Sequence, residues 1–155
     1  MSPATYTAEH LTARSERRMV DFDPDATTLT LVDLDPTSTA ECLPIAEFRR
    51  FLVGVMKSVG TDAIEKVQII AAANGDGGNA QVVVEKAFTS SAPGAVGDHV
   101  WLECDAAQCR EVLPGATHVG VRVQLETATD ECVVFFERAE PFYPRAGLTA
   151  DYIAS

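Results

Sequence analysis

The stretch LPIAEFRRFLVGVMKSVG, residues 43–60, decides how the rest of the chain is read. At about 100° per residue, Ile45, Phe48, Phe51, Leu52, Val55, Met56 and Val59 fall in one arc of roughly 140°. Glu47, Arg50, Lys57 and Ser58 take the opposite side. Thr37, Ser38 or Thr39 can cap the start, Pro44 suits a first turn, and Gly60 suits the stop. The spacing predicts one long helix over 43–60, with an apolar arc wide enough to need a sheet beneath it.

Strand signals lie on both sides of this segment. Residues 17–25 can enter a first strand, and 27–34 alternate Leu29 and Leu31 against Thr28, Thr30 and Val32. After it, 65–73 (EKVQIIAAA) and 80–88 (AQVVVEKAF) flank NGDGGN, residues 74–79, whose composition tolerates positive φ; this predicts a hairpin. In 98–110, Val100, Leu102, Cys104 and Ala106 alternate with His99, Trp101, Glu103 and Asp105. In 117–126, Val119, Val121, Val123 and Leu125 alternate with Gly120, Arg122, Gln124 and Glu126. In 131–139, Cys132, Val134 and Phe136 oppose Val133, Phe135 and Glu137. These three strands predict an antiparallel meander with one wet and one dry face. The expected fold is α+β, a curved antiparallel sheet wrapped around one long central helix. Such a sheet leaves a face to cover, so a homodimer or higher homo-oligomer is expected.

The totals set outer bounds. The chain has 155 residues, of which 46% are apolar, which suits a single domain with a real core. Residues 1–16 can form an arm and 145–155 a tail. The formal net charge of −11 speaks against nucleic acid and anionic membrane surfaces as partners. It leaves room for a basic partner. No apolar run approaches a membrane span, and 1–20 do not read as a signal peptide. The four cysteines, Cys42, Cys104, Cys109 and Cys132, follow no metal spacing and read as buried reduced thiols of a cytoplasmic protein. His10, His99 and His118 have no ligand spacing either, so no metal or other cofactor is expected.

Two family resemblances follow. AFTSSAPGAVGDHVWLEC, residues 87–104, resembles the strand, Pro–Gly loop and Gly–Asp strand opening of hot-dog thioesterases. FLVGVMKSVG, residues 51–60, resembles the central helix of the fluoroacetyl-CoA thioesterase type. The resemblance implies a hot-dog domain that binds an acyl thioester of coenzyme A or of a carrier protein and can hydrolyse it. The chain departs from that pattern. Lys57 stands where the helix glutamate belongs, and Lys86, Ala87 and Phe88 stand where a histidine belongs. A non-catalytic binding or interaction domain is therefore the alternative. LVDLD (Asp33), VVVEK (Lys86) and TDECV (Cys132) also resemble, in order, the aspartate, lysine and cysteine of isochorismatase-like cysteine hydrolases. That fold needs a parallel sheet with Cys132 opening a helix, whereas CVVFFERA alternates like a strand.

The candidate residues follow from these readings. Glu41 and Glu47, at and inside the helix start, can act as base or nucleophile at a thioester if burial raises their pKa; otherwise they favour the helix dipole or face water. Thr89, Ser90 and Ser91 can donate hydrogen bonds to substrate, and Lys57 joins them as a substrate-binding candidate. Cys42 can be a helix-start nucleophile or a buried structural thiol. His99 and His118 fall on the polar phase of their strands. Asp33 and Asp35 are simplest as turn and capping groups.

Overall fold

The computed structural model describes residues 15–24, 27–88 and 92–141. The segment expected to be a helix is a strand. Leu43–Pro44 is a short β3, and Phe48–Val59 is the twelve-residue β4. The other elements are β1 (Ser15–Phe22), β2 (Thr30–Leu31), β5 (Ile64–Ala72), β6 (Gln81–Ala87), β7 (His99–Asp105), helix α1 (Ala106–Val112), β8 (His118–Leu125) and β9 (Glu131–Pro141).

Every strand pair is antiparallel, and the pairs nest around one hairpin. β5 pairs β6, β4 pairs β7, β2 and β3 pair β8, and β1 pairs β9. This is a long antiparallel ribbon folded at the β5–β6 turn. Two further pairings, β4 with β9 and β5 with β8, roll the ribbon into two sheets. Their orders are β1-β9-β4-β7 and β2-β8-β5-β6, the arrangement of a jelly-roll β-sandwich. The expected helix-and-sheet α+β architecture and the hot-dog resemblance are both overturned by it. The cysteine-hydrolase resemblance goes as well, because no parallel pair exists among the described residues and Cys132 sits within β9.

β4 is a strand because its interior residues follow a period of two. Phe51, Val53, Val55 and Lys57 are all fully buried and share one face. Val53 had no place in the helical arc. Leu52 and Met56 had one, yet they lie on the outer face. A strand flanked by β7 and β9 has apolar neighbours on both faces, so helical and strand periods fit it equally well.

The core lies between the sheets. Phe51, Val53, Val55, Val134 and Phe136 meet Val67, Ile69, Val121, Val123 and Leu125, all at 0% exposure. The inward phases expected for 98–105, 117–126 and 131–139 are the observed ones. The expected meander is not formed: β7 and β9 border β4 on opposite sides, while β8 lies in the other sheet. The expected hairpin over 65–88 is present. Asn74 Oδ1 accepts from Gly78 N–H at 2.8 Å, and Gly77 and Asn79 take φ of +74° and +53°. Beyond Asp105 the alternation stops. Asp105 Oδ1 accepts from Gln108 N–H at 2.8 Å and Gln108 Oε1 from Asp105 N–H at 2.9 Å, a capping box that starts α1.

The outer faces of the two sheets differ. On the β2-β8-β5-β6 sheet, Ile70 and Ala72 of β5 are covered by Leu31 of β2, Cys42 just before β3 and Ala80 just before β6. Across the β1-β9-β4-β7 sheet, Met19, Met56 and Trp101 stay exposed. Among the described residues no helix is long and apolar enough to cross a membrane.

Candidate functional site: an aromatic row on the outer sheet face

Register places four residues in one row across the exposed face. Met19 of β1 is opposite Phe135 of β9, Phe135 is opposite Gly54 of β4, and Gly54 is opposite Trp101 of β7. The row is uncharged from edge to edge. Gly54 makes its central feature possible. A Cβ there would lie 2.5–2.8 Å from the Cε3, Cζ3 and Cη2 atoms of Trp101. Three adjoining ring atoms at nearly one distance mean that the indole lies flat over the glycine. Only a residue without a side chain allows that approach. Phe135 supports the indole edge-on at 5.8 Å, and His99 flanks it at 6.4 Å. One indole face is therefore packed and the other faces outward, leaving Trp101 53% exposed.

The rows on either side combine apolar residues of β4 with charges on the neighbouring strands. One runs Arg17, Glu137, Leu52, Glu103, and the other Asp21, Val133, Met56, His99. Arg17 pairs with Glu137 at 3.5 Å, and Arg50 pairs with Glu103 at 3.1 Å and Glu140 at 3.7 Å. Both arginines of this face thus have acidic partners. Asp21, on the exposed edge strand, and Glu131, at the start of β9, add negative charge to the rim. The patch has an apolar centre and an acidic border, the usual anatomy of a contact surface.

The residues singled out from the sequence lie elsewhere and do not converge. Glu41 is half-buried beside the 74–79 turn, where Cys42 N–H donates to the Gly75 carbonyl at 2.8 Å. Glu47 is exposed at a small pocket of about 170 Å³ that it shares with Pro44, Ala46 and Arg138. No helix starts at either glutamate. Lys57 is fully buried and its ammonium contacts the Asp130 carboxylate. Thr89, Ser90 and Ser91 lie outside the described residues, as does His10. Asp33 and Asp35 shape a turn: Asp33 Oδ1 accepts from Asp35 N–H at 3.0 Å and Asp35 from the Thr37 hydroxyl at 2.7 Å. Hydrogen bonds from Thr37 and Ser38 hold the Asp35 carboxyl below its usual range. His118 meets the Thr117 hydroxyl at 2.7 Å, and burial together with the charge of Arg138 lowers its pKa. His99 alone among these residues belongs to the aromatic row's surroundings.

All four thiols are buried, and three of them have a raised pKa, while contact with Cys104 lowers that of Cys109. Burial pushes Cys42 up to about 11 and Cys132 up to about 12. Contact with Cys109, with burial added, pushes Cys104 up too. The folded chain should resist iodoacetamide at mildly alkaline pH, while the denatured chain takes four labels. Mass spectrometry reads this directly, and rapid labelling of the folded chain at Cys42 would contradict the burial described.

No protein-family model matches the chain, and no curated protein matches it. The solved structures that resemble the chain share little sequence with it. The prophage-derived protein YomS has 12% identity and a TM-score of 0.42, covering 81% of this chain and 95% of that one. A pilus protein of Bacillus endospore appendages has 12% identity and a TM-score of 0.38, covering 81% and 87%. The empty capsid of Triatoma virus has 6% identity and a TM-score of 0.41, covering 92% and 97%. Likeness at this distance says nothing further about what this chain does.

Proposed function

We propose that the chain is a non-catalytic interaction domain that docks a basic, apolar-cored segment of another protein on the outer face of the β1-β9-β4-β7 sheet. The Met19–Phe135–Gly54–Trp101 row carries this reading. Two physical arguments choose the occupant. Strands about 4.8 Å apart make the row about 14 Å wide, and with its apolar neighbours the patch is on the order of 200 Å². A standard interface needs about 800 Å² per partner, so the apolar centre suits a narrow segment such as an extended, proline-containing peptide. The acidic rim and the net charge of −11 favour a basic occupant. A second copy would bring like charge to like charge. The ground for expecting a homodimer was a sheet face left uncovered; in the sandwich that is this outer face, and its acidic rim favours a basic partner over a second copy.

Acyl-thioester binding drew its support from the hot-dog resemblance, and the sandwich withdraws that support. The same proposal places the chain in a reducing compartment such as the cytoplasm, because Cys104 and Cys109 hold their sulfurs 3.9 Å apart as thiols.

Trp101 is the sole tryptophan, so its fluorescence reports on the patch alone. Titration with a lysine- and proline-rich peptide should shift the emission, and raising salt should weaken the effect. Trp101→Ala should reduce affinity for the peptide at least tenfold, measured by calorimetry, with the fold retained because the indole is half exposed. Binding unaffected by Trp101→Ala would overturn the reading. So would a response confined to acyl-CoAs or oligosaccharides, or a dimer by sedimentation that Trp101→Glu dissociates.

A further inference from the structure

A second feature lies inside the sandwich, away from the aromatic row. Lys57 follows Phe51, Val53 and Val55 on the inward phase of β4 and is fully buried. Its backbone is fixed at both polar groups: Lys57 N–H donates to the Asp98 carbonyl, and its own carbonyl accepts from Gly97 N–H, each at 2.9 Å. Its ammonium contacts the carboxylate of Asp130, which is 2% exposed and lies in the turn just before β9. Asp62 N–H donates to Asp130 Oδ2 at 3.0 Å. The Thr127 hydroxyl donates to the neighbouring Asp62 carboxylate at 3.3 Å. Gly60, at φ +92°, leaves the room in which the carboxyl sits, since a Cβ there would fall 1.7 Å from Asp130 Oδ1.

We propose that Lys57 Nζ and Asp130 Cγ condense to an intramolecular amide, an autocatalytic cross-link between the end of β4 and the turn that leads into β9. A buried ion pair is costly to keep charged, because each ion loses its hydration. Moving one proton from Nζ to the Asp130 carboxylate within their existing contact gives a neutral amine and a carboxylic acid. The amine lone pair then attacks Cγ, negative charge develops on Oδ1, and Asp62 N–H holds Oδ2, the protonated oxygen that departs. A second proton passes from nitrogen directly to the departing Oδ2, the atom that the ammonium already contacts. The C–N bond forms, one C–O bond breaks, and one water leaves. Nothing is oxidised or reduced. Both reactants are held in contact by the fold, so the step needs no encounter.

Intact mass spectrometry of the purified full chain, run denatured, tests this. The expected mass is lower than that of the uncrosslinked linear chain by one water. Proteolysis should yield a branched peptide that joins Lys57 to Asp130. Asp130→Ala and Lys57→Ala should each show the full mass of their own linear chain and lose the branched peptide. A wild-type mass equal to that of the linear chain would overturn the proposal. A water loss that persists in Asp130→Ala, or that maps to another site, would overturn it as well. The wild-type measurement needs no variant to fold, and the aromatic row plays no part in it.

Discussion

Asp130→Ala should destabilise the chain by about 3–5 kcal/mol relative to its ion-paired form, measured as a fall in the denaturant midpoint at unchanged slope. The reason is the partner left behind. Lys57 is fully buried on the inward face of β4, with Asp130 as its ion-pair partner. Domains of this size hold about 5–15 kcal/mol in total, so the variant would be marginal at room temperature. If the amide has formed, the wild type gains further from a closed loop spanning 73 positions. By analogy with a disulfide, that closure is worth about 4 kcal/mol. A loss below about 1 kcal/mol would show that Lys57 finds other solvation and that the pair matters little.

The pair also gives a pH signature with a definite sign. Burial alone would raise the Asp130 carboxyl. The hydrogen bond and charge of Lys57, with help from Thr127 and the Asp62 amide, outweigh burial and hold it below its usual range. The unfolded chain therefore takes up this proton first as pH falls. Stability from the group is complete above about pH 4. It is lost as pH drops through the lower folded value. Asp130→Ala should lack this acid phase, and a cross-linked chain should lack it too, since an amide does not titrate there.

Much of the sandwich was legible residue by residue, and its assembly was not. Val119, Val121, Val123 and Leu125 showed their inward phase because a strand with one wet face writes burial directly into alternation. The NGDGGN turn announced the β5–β6 hairpin because both partners lie close in sequence. The pairing of β1 with β9 joins Met19 to Phe135, and no local pattern carries that information. The aromatic row depends on it. Trp101 was visible as a large apolar residue on a polar phase, and Gly54 as a glycine inside an apolar run. Only the register of β4 against β7 shows that each accounts for the other. The capping box of Asp105 and Gln108 was present in the sequence but lay hidden under an alternation that ran on through Ala106. Lys57 was misleading for a plain reason: a lysine inside a strand is expected on the wet face, and its buried partner sits far along the chain.

Val53→Asp and Met56→Asp should separate the strand from the helix more sharply than any other pair of substitutions. A helix over 43–60 would bury Met56 in its apolar arc and leave Val53 outside it. In β4 the order is reversed: Val53 is fully buried between the sheets and Met56 is 44% exposed on the outer face. An aspartate at 53 would face Phe136 and the core of the opposing sheet without a partner. Burying an unpaired carboxylate costs several kcal/mol even after relaxation, comparable with the total stability of a small domain. Val53→Asp should therefore be unfolded or insoluble, with loss of the cooperative melting transition. At position 56 the new charge meets water, and the expected change stays within about 0.5 kcal/mol. Circular dichroism melts on the two purified variants give the comparison. Equal damage from both, or greater damage from Met56→Asp, would mean that the 48–59 segment does not lie in the sandwich with the register described.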